Sequence, residues 1–202
     1  MQMKSVVKSS IDFGASEREF ARLIKRMEKD AAPENAYYTS YFSPLGELLC
    51  VSNGNEITAL LFSDWHGASE LKEAAEYCPE RPEFALLSSW LDSYFSGKDD
   101  APMPKFMPSG TSFQRRVWEL IAEIPKGETL SYGDIAKKIA HERGIPKMAA
   151  QAVGNAVAAN KITILIPCHR VVASNGKLGG YGGHEDRKLA LLRLEGAWKD
   201  KT

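Results

Sequence analysis

The stretch SYGDIAKKIAHERGIPKMAAQAVGNAVAAN, residues 131–160, carries the pattern that decides the fold. Ser131 stands where a helix N-cap is expected, Asp134 occupies the third helical position, and an apolar stripe follows. The letters ERG mark a tight turn, and Pro146 suits the first position of a second helix that runs to about 159. Two short helices joined by such a turn are typical of a helix-turn-helix, although an ordinary helical hairpin shows the same pattern.

The second of these helices is built almost entirely from small residues, KMAAQAVGNAVAAN. Small side chains let a helix backbone approach a surface closely, which suits a narrow groove better than side-chain readout across a wide one. Alanines packed inside a tight helical core would give the same composition. Both interpretations can hold at once on opposite faces of the helix.

The residues before this stretch predict a set of strands and further helices. Residues 37–62 are rich in aromatic and aliphatic residues with turn signals at SPLG and SNGN, and they predict an antiparallel meander with Cys50 as an inert core thiol in its second strand. FALLSSWLDSYFSG predicts a helix that ends at Gly97, and TSFQRRVWELIAEIPKG predicts another over about 112–124. Residues 16–30 read as an amphipathic helix behind a capping box.

Four segments follow from these patterns. They are an N-terminal extension of residues 1–35, an α/β domain of residues 36–100, a proline-rich linker of residues 101–110, and a C-terminal domain of residues 111–202.

The amino-acid composition and the charge distribution limit the classes of function to consider. The chain has 202 residues, 44% hydrophobic and 26% charged, which is ordinary for a globular protein. Its net charge is zero, but residues 1–100 hold 10 Lys and Arg against 17 Asp and Glu, while residues 101–202 hold 16 against 9. The basic C-terminal half hints at a polyanionic partner, although charge runs are usually solvated faces.

The cysteines and the first residues of the chain indicate in which cellular compartment we expect the protein. Three scattered cysteines without a CxxC pair argue against a structural zinc site and favour reduced, intracellular thiols. The first residues lack the apolar core of a signal peptide, and no apolar run approaches membrane-span length. We therefore expect a cytoplasmic protein with no metal and no cofactor.

The segment ILIPCHRVVASNGKLGGYGGH places Cys168 directly before His169 and Arg170. A free cysteine is mostly thiol at neutral pH, and it needs a nearby cation or base to become the nucleophilic thiolate. Neighbours in an extended segment point to opposite faces, so contact between the thiol and the imidazole needs a turn or a bridging water. Ile164–Ile166 predict a buried strand leading to the cysteine, which Asn160 could tie to the small-residue helix through its amide.

Two features downstream could complete a site. The letters GGYGGH offer backbone N–H groups and an aromatic face, which could wrap a flat ring, although a plain flexible loop has the same composition. Glu195 stands at the C-terminus of a predicted helix, where the helix dipole disfavours a carboxylate. A hydrogen bond from a histidine would offset that cost and hold the imidazole in one tautomer, whereas a solvated surface glutamate is the alternative.

Taken together, IPCHRVV, GNAVAAN, GTSFQRRVWELIAEIPKGETLSYGDIA, GGYGG and LEG closely resemble the O6-alkylguanine-DNA alkyltransferases. The resemblance covers residues 37 to 196. It implies an α+β fold, with an N-terminal ribonuclease-H-like α/β domain and a C-terminal winged-helix-like domain. It also implies a monomer whose helix-turn-helix enters the minor groove of double-stranded DNA and flips out an alkylated guanine, because a stacked base is sterically protected.

The resemblance also implies roles for five residues. Cys168 would accept the alkyl group irreversibly, from O6-alkylguanine and possibly from O4-alkylthymine. His169 would act as a base through a water and Glu195 would orient it. Asn160 would tether the turn to the active-site segment, and Tyr132 would protonate the leaving guanine and crowd the target phosphate.

The resemblance further implies a set of residues that contact the substrate or DNA: Ala149, Gln151, Ala152, Arg170, Tyr181, Gly182, Gly183 and Lys188. Of these, Gln151 departs from the family, whose members commonly place an arginine there to fill the gap left by the flipped base. An amide brings no charge, so we expect weaker or more salt-tolerant DNA binding. Some relatives carry an N-terminal zinc, but the ligand spacing is absent here.

Two other functions are compatible with parts of the pattern. A lesion-binding module without chemistry, as in alkyltransferase-like proteins, would lack the acceptor cysteine, and Cys168 argues against it. A hydrolase with a Cys–His–Glu set would need an oxyanion hole and a route for hydrolysing its intermediate, whereas a thioether has no such exit.

Overall fold

The structure is a computed structural model that describes residues 35–182 and 184–198. The helix predicted over residues 16–30 lies outside them. The described helices and strands, in chain order, are β1 (Tyr37–Ser43), β2 (Gly46–Ser52), β3 (Ile57–Phe62), α1 (Ala68–Glu73), β4 (Glu76–Tyr77), α2 (Pro82–Ser96), α3 (Ser112–Ala122), β5 (Leu130–Ser131), α4 (Tyr132–Glu142), α5 (Ala150–Ala158), β6 (Val171–Val172) and α6 (Glu185–Leu194).

The N-terminal part is a four-stranded sheet in the order β3-β2-β1-β4. The first three strands are antiparallel neighbours, so the predicted meander is confirmed, and β4 adds a short parallel strand at the edge. The central strand β2 is buried on both faces: Leu48 and Cys50 belong to the main core, while Leu49 and Val51 face a smaller one. Burial raises the pKa of Cys50 to about 12, which keeps this thiol protonated and inert.

The helix after the sheet and the proline-rich segment pack onto it. Helix α2 begins with Pro82 at its first turn and ends where Gly97 adopts a left-handed conformation, as predicted. The segment that follows is attached to β3, because the Ile57 N–H donates to the Lys105 carbonyl and the Met107 N–H donates to the Ile57 carbonyl. Phe106, between Lys105 and Met107, is fully buried, so this segment is anchored to the N-terminal sheet.

Helix α5 packs against both α3 and α4 in the C-terminal part. A capping box between Thr111 and Gln114 starts α3. The predicted cap of α4 is present, since the Ser131 hydroxyl accepts a hydrogen bond from the Asp134 N–H. The Trp118 indole of α3 donates to the Ala156 carbonyl of α5 at 2.8 Å, so one buried bond sets the position of the second helix of the pair.

The predicted start of the second helix is wrong. Helix α5 begins at Ala150, four residues after Pro146, because Ala149 has an extended backbone and no side chain caps the helix here. The extended segment places Met148 against the main core. Within α5, Val153, Ala156 and Val157 are buried while the remaining face is open, so one face of the helix packs in the interior and the other stays accessible.

The strand predicted at Ile164–Ile166 is also wrong. These residues form a buried turn in which Ile164 has a φ of +69°, and the turn continues into a single turn of 3-10 helix, Cys168–Arg170. The Asn160 side chain closes the turn: its amide nitrogen donates to the Ile166 carbonyl at 3.0 Å, and its oxygen accepts from the Ile162 N–H at 2.9 Å. A bridge between Leu60 and Ile162 joins this turn to the edge of β3. No helix in the described part of the chain is long and apolar enough to span a membrane.

Candidate active site

A cleft of about 700 Å³ lies between the two halves of the described chain. One wall comes from the loop after β3, one from α4 and α5, and one from the loop before α6. The lining residues are Trp65, His66, Tyr132, Ala150, Gln151, Gly154, Asn155, Val157, Ala158, Asn160, Cys168, Gly180, Tyr181 and Gly182. Cys168 lines this cleft with only 4% of its surface exposed, so a reactant reaches its sulfur only by entering the cleft.

The surroundings of Cys168 keep its side chain a thiol at rest. Burial raises its pKa, and hydrogen bonds from Asn160 and Thr163, together with the charge of Lys188, offset only part of that effect. The Thr163 hydroxyl oxygen lies 3.9 Å from the sulfur. A thiol in this setting needs a base to remove its proton before it can act as a nucleophile.

His169 has the protonation state of such a base. It is fully buried, and its Nε2 lies 2.9 Å from Glu195 Oε1, which confirms the predicted hydrogen bond between Glu195 and a histidine. Because a carboxylate only accepts, Nε2 carries the proton and Nδ1 keeps its lone pair. Burial lowers the pKa of His169 despite the neighbouring Glu195, so the imidazole is neutral at neutral pH. Its Nδ1 is buried without a hydrogen bond to any described protein group.

The 3-10 turn also resolves the problem of adjacent side chains. In a 3-10 helix successive side chains leave the backbone about 120° apart, instead of on opposite faces as in a strand. Cys168 can therefore line the cleft while His169 reaches inward to Glu195.

Arg170 does not lie on the predicted DNA-contacting surface. Its Nε donates to Glu195 Oε2 at 2.8 Å, its Nη2 donates to Oε1 at 2.8 Å, and its Nη1 donates to the Ile124 carbonyl at 2.6 Å. The guanidinium is drawn inward because the buried carboxylate requires a cation. Burial alone would raise the pKa of Glu195, but the bonds with His169 and Arg170 hold it well below its usual range.

A residue of the N-terminal part completes the environment of Glu195. The Tyr94 hydroxyl of α2 donates to Glu195 Oε1 at 2.8 Å. The sequence predicted this helix and its buried face, but no local signal distinguishes a tyrosine that bonds a distant carboxylate from one that only fills the core.

The loop before α6 forms another wall of the cleft, next to Tyr132 at the start of α4. The Tyr181 hydroxyl and the Thr163 hydroxyl are 2.6 Å apart, and the Tyr181 ring meets Trp65 edge-on with ring centres 5.2 Å apart. Gly182 has a φ of +52°, and a Cβ there would lie 2.6 Å from Trp65 Cε2. These contacts order the loop. Trp65 lines the cleft, and, like Tyr94, it is a residue of the site that the sequence did not reveal. Gly183 lies outside the described residues.

Tyr132 and Lys188 stand beside this wall. Tyr132 is half-buried at the start of α4, and burial raises its pKa, with the Cys168 charge adding to the effect. Lys188 is fully buried, and its Nζ donates to the Val171 carbonyl at 2.6 Å and to the Gly180 carbonyl at 3.5 Å. Its Nζ also lies 5.8 Å from the centre of the Tyr132 ring. Burial lowers the pKa of Lys188 to about 8, so most of it is charged at neutral pH.

Two protein-family models match the chain, one over its N-terminal part and one over its C-terminal part. Residues 36–102 match the model of the 6-O-methylguanine DNA methyltransferase ribonuclease-like domain, and residues 112–197 match that of the DNA-binding domain. The chain is 42% identical over 153 residues to the methylated-DNA–protein-cysteine methyltransferase of Mycobacterium leprae, covering 76% of this chain and 88% of the relative. It is 39% identical to the protein of that name from Methanosarcina acetivorans, covering 80% and 99%.

The chain belongs to the 6-O-methylguanine DNA methyltransferase family. Among solved structures, it resembles an O6-methylguanine methyltransferase of Mycobacterium tuberculosis with a TM-score of 0.71 and 38% identity, over 80% of this chain and 93% of that one. A structure of the M. tuberculosis protein OGT in complex with DNA matches with a TM-score of 0.70, 37% identity and the same coverage. The predicted α+β fold class, a ribonuclease-like domain followed by a DNA-binding domain, is confirmed.

In this methyltransferase fold, the open side of α5 forms the upper rim of the cleft. Ala149 is exposed, Ala152 is half-buried, and the exposed Gln151 donates through its amide to Asn155 at 3.2 Å. Within the described residues no cluster of His, Cys, Asp or Glu is suited to hold a metal ion.

Proposed function

We propose that this protein repairs alkylated DNA by direct reversal, moving the alkyl group from the O6 atom of guanine to the sulfur of Cys168. One observation carries the proposal: a buried thiol lines the cleft and is followed in the same turn by a neutral imidazole that a carboxylate holds in one tautomer. The curated relatives named above support it, since they are methylated-DNA–protein-cysteine methyltransferases.

The proposed step forms one C–S bond and breaks one C–O bond. The Cys168 thiol passes its proton through a water to His169 Nδ1, the nitrogen whose lone pair is free. The sulfur then attacks the alkyl carbon, and the C–O electron pair leaves with the purine. The product is a thioether, which is not a leaving group for water, so each protein molecule acts once.

Tyr132 supplies a proton to the departing base. A neutral guanine leaves more easily than an anion, and the raised pKa of Tyr132 keeps the phenol protonated at neutral pH, ready to donate. The proton that His169 gained from the thiol balances the one that the purine gained, and exchange with water restores both residues to their resting forms.

The remaining residues of the proposed site hold other parts of the site in position and do not react themselves. Asn160 holds the turn that carries Cys168, through its bonds to Ile162 and Ile166. Arg170 holds Glu195 in place rather than contacting DNA. Lys188 ties the Gly180 carbonyl to β6, and so fixes the loop that contains Tyr181 and Gly182.

We propose that the open side of α5 lies in the minor groove of double-stranded DNA, with Ala149 and Ala152 allowing close approach. The target guanine would flip into the cleft, and Gln151 would occupy the gap that it leaves. Gly183 would belong to the pocket wall together with Tyr181 and Gly182. We also propose that the protein acts as a monomer in the cytoplasm, or in the nucleus of a eukaryote.

We propose that two domains carry out this function, residues 36–100 and residues 111–202. Residues 101–110 join them, and an extension of residues 1–35 precedes them. The cleft lies at the junction of the two domains. A lesion bound there would therefore contact both of them.

The test is incubation with an oligonucleotide that contains O6-methylguanine, followed by peptide mass mapping. We expect one methyl group on the Cys168 peptide, in stoichiometric amount and without turnover. Because burial lowers the pKa of His169, the neutral base persists below its ordinary pKa of 6.5, and we expect the rate to fall only below that pH. Catalytic release of product, or binding without methylation, would refute the proposal.

A further inference from the structure

The hydroxyl of Tyr94 joins the N-terminal part of the chain to the buried Glu195. Tyr94 lies on α2, 101 positions before Glu195 in the sequence, and the two side chains meet in a buried hydrogen bond of 2.8 Å. Burial and the adjacent carboxylate raise the pKa of Tyr94, so its hydroxyl remains a proton donor at every accessible pH.

Packing on every side fixes the position of that hydroxyl. The Tyr94 ring stacks on Trp90 with ring centres 5.4 Å apart and an angle of 15°, and it meets Phe95 edge-on at 5.2 Å. Lys126 from the C-terminal part lies over the ring at 5.4 Å and forms an ion pair with Asp99. The ring therefore cannot turn away from Glu195 without breaking contacts with both halves of the molecule.

Tyr94 and His169 share one acceptor atom. Glu195 Oε1 receives hydrogen bonds from the Tyr94 hydroxyl, from His169 Nε2 and from Arg170 Nη2, whereas Oε2 receives one from Arg170 Nε. Each donor that withdraws charge from Oε1 leaves less negative charge to stabilise a protonated imidazole.

Other charged and titratable groups face the same pair. Arg170 and Cys168 belong to the turn itself, Lys188 comes from α6 and Tyr181 comes from the loop before it. Among the groups in the described part of the chain that interact with Glu195 or His169, Tyr94 is the one that belongs to the N-terminal part.

We infer that Tyr94 is a positioning residue that sets the basicity of His169 through Glu195. The inference rests on the proposed function, and it gives the N-terminal domain a direct part in the chemistry. With the hydroxyl present, the imidazole stays neutral at a lower pH and is held in one orientation. Without it, Glu195 favours the imidazolium more strongly, and a larger share of the protein is inactive in mildly acidic solution.

The experiment compares Tyr94→Phe with the matched control Tyr41→Phe. Tyr41 also donates its hydroxyl to a carboxylate on α2, Asp92, at 2.7 Å, but that bond is exposed and has no link to Glu195. Single-turnover methyl transfer from an O6-methylguanine oligonucleotide is measured from about pH 5 to pH 8. For Tyr94→Phe we expect the acid limb to move to higher pH and the rate at mildly acidic pH to fall roughly tenfold. Tyr41→Phe is expected to follow the unaltered protein.

A uniform loss of rate with no movement of the acid limb would overturn the inference, because it is what a loosened core alone would produce. The double variant Tyr94→Phe with Glu195→Gln gives a second check. If Tyr94 acts through Glu195, removing its hydroxyl has little further effect once the carboxylate is gone. Additive effects on the rate would contradict the inference.

A second reagent separates this inference from the proposed function. Iodoacetamide alkylates Cys168 without DNA, and peptide mass mapping reports its rate on each cysteine. We expect Tyr94→Phe to move the pH dependence of Cys168 modification in the same direction. If the unaltered protein takes no methyl group from DNA but Tyr94→Phe still moves the pH dependence of its reaction with iodoacetamide, the proposed function is wrong, while the effect of Tyr94 on His169 is confirmed. If methyl transfer occurs and both pH profiles of Tyr94→Phe match those of the unaltered protein, the inference alone is wrong.

Discussion

The floor of the cleft, meaning Cys168 and the buried groups behind it, and the rim, meaning the open side of α5, are built on opposite physical principles. At the floor, Glu195 is buried and binds His169, Arg170 and Tyr94, so charge is paired and every donor has a fixed direction. At the rim, α5 carries no charged side chain, and its open face consists of small residues and two amides. Under the proposed function, the floor would determine which bond reacts, whereas the rim would only have to fit against the DNA backbone and groove.

The largest effect that we expect comes from Cys168→Ala, which removes the reacting atom from the floor and leaves the rim intact. Methyl transfer should be abolished, while binding to O6-methylguanine DNA stays within about twofold of the original, because shape and phosphate contacts are unchanged. Peptide mass mapping measures the first and a gel-shift titration measures the second.

Cys78→Ala is the matched control for this variant. Cys78 is partly exposed and does not line the cleft, so transfer should proceed fully. Loss of binding in proportion to loss of transfer in Cys168→Ala would show that floor and rim are not separable.

A smaller effect is expected for Gly182→Ala, which perturbs the wall between floor and rim. The new Cβ would lie 2.6 Å from Trp65 Cε2, and the φ of +52° disfavours a side chain there. Displacement of the loop should slow transfer by roughly 10- to 100-fold, since a shift of about 1 Å near reacting atoms is costly. Single-turnover kinetics measures the change.

Gly180→Ala is the control for this position, because a Cβ at Gly180 meets nothing within 4 Å. Its rate should change by less than about threefold. Equal losses in the two variants would mean that the contact with Trp65 is not what orders the loop.

The smallest effect is expected for Gln151→Arg, which places a charge on the neutral rim. Binding should tighten a few-fold, and the dependence of the binding constant on salt should steepen by about one phosphate equivalent at most. Binding titrations at several salt concentrations measure this slope, with Gln151→Met as the neutral control. An unchanged slope in Gln151→Arg would argue against DNA contact at this position.

Local patterns in the sequence predicted most of the framework. The N-cap of α4, the end of α2 at Gly97 and the meander all depend on residues close together in the chain, and all are present. A hydrogen bond from a histidine to Glu195 was one of the two alternatives that the sequence pattern left open, and only the family resemblance assigned it to His169.

Most of the incorrect and missing predictions depend on side-chain contacts that the local sequence pattern does not reveal. The apolar run at Ile164–Ile166 resembles a strand, but the Asn160 side chain bends it into a turn. Arg170 resembled a DNA contact until the buried Glu195 drew it inward. Tyr94 and Trp65 reach the site only through tertiary packing, so no spacing along the sequence could reveal them.

The left-handed backbone of Ile164 has a consequence for the life of the molecule. A β-branched residue in this conformation costs on the order of 1–3 kcal/mol, which the surrounding turn must hold in place. Alkylation adds at least one carbon atom to Cys168, four residues further on, and the added group projects into the cleft that the sulfur lines. A methyl group fits the cleft, whereas a bulkier alkyl group that displaces the turn would act on a backbone that is already strained. The melting temperature of the spent protein should therefore fall as the transferred alkyl group becomes larger.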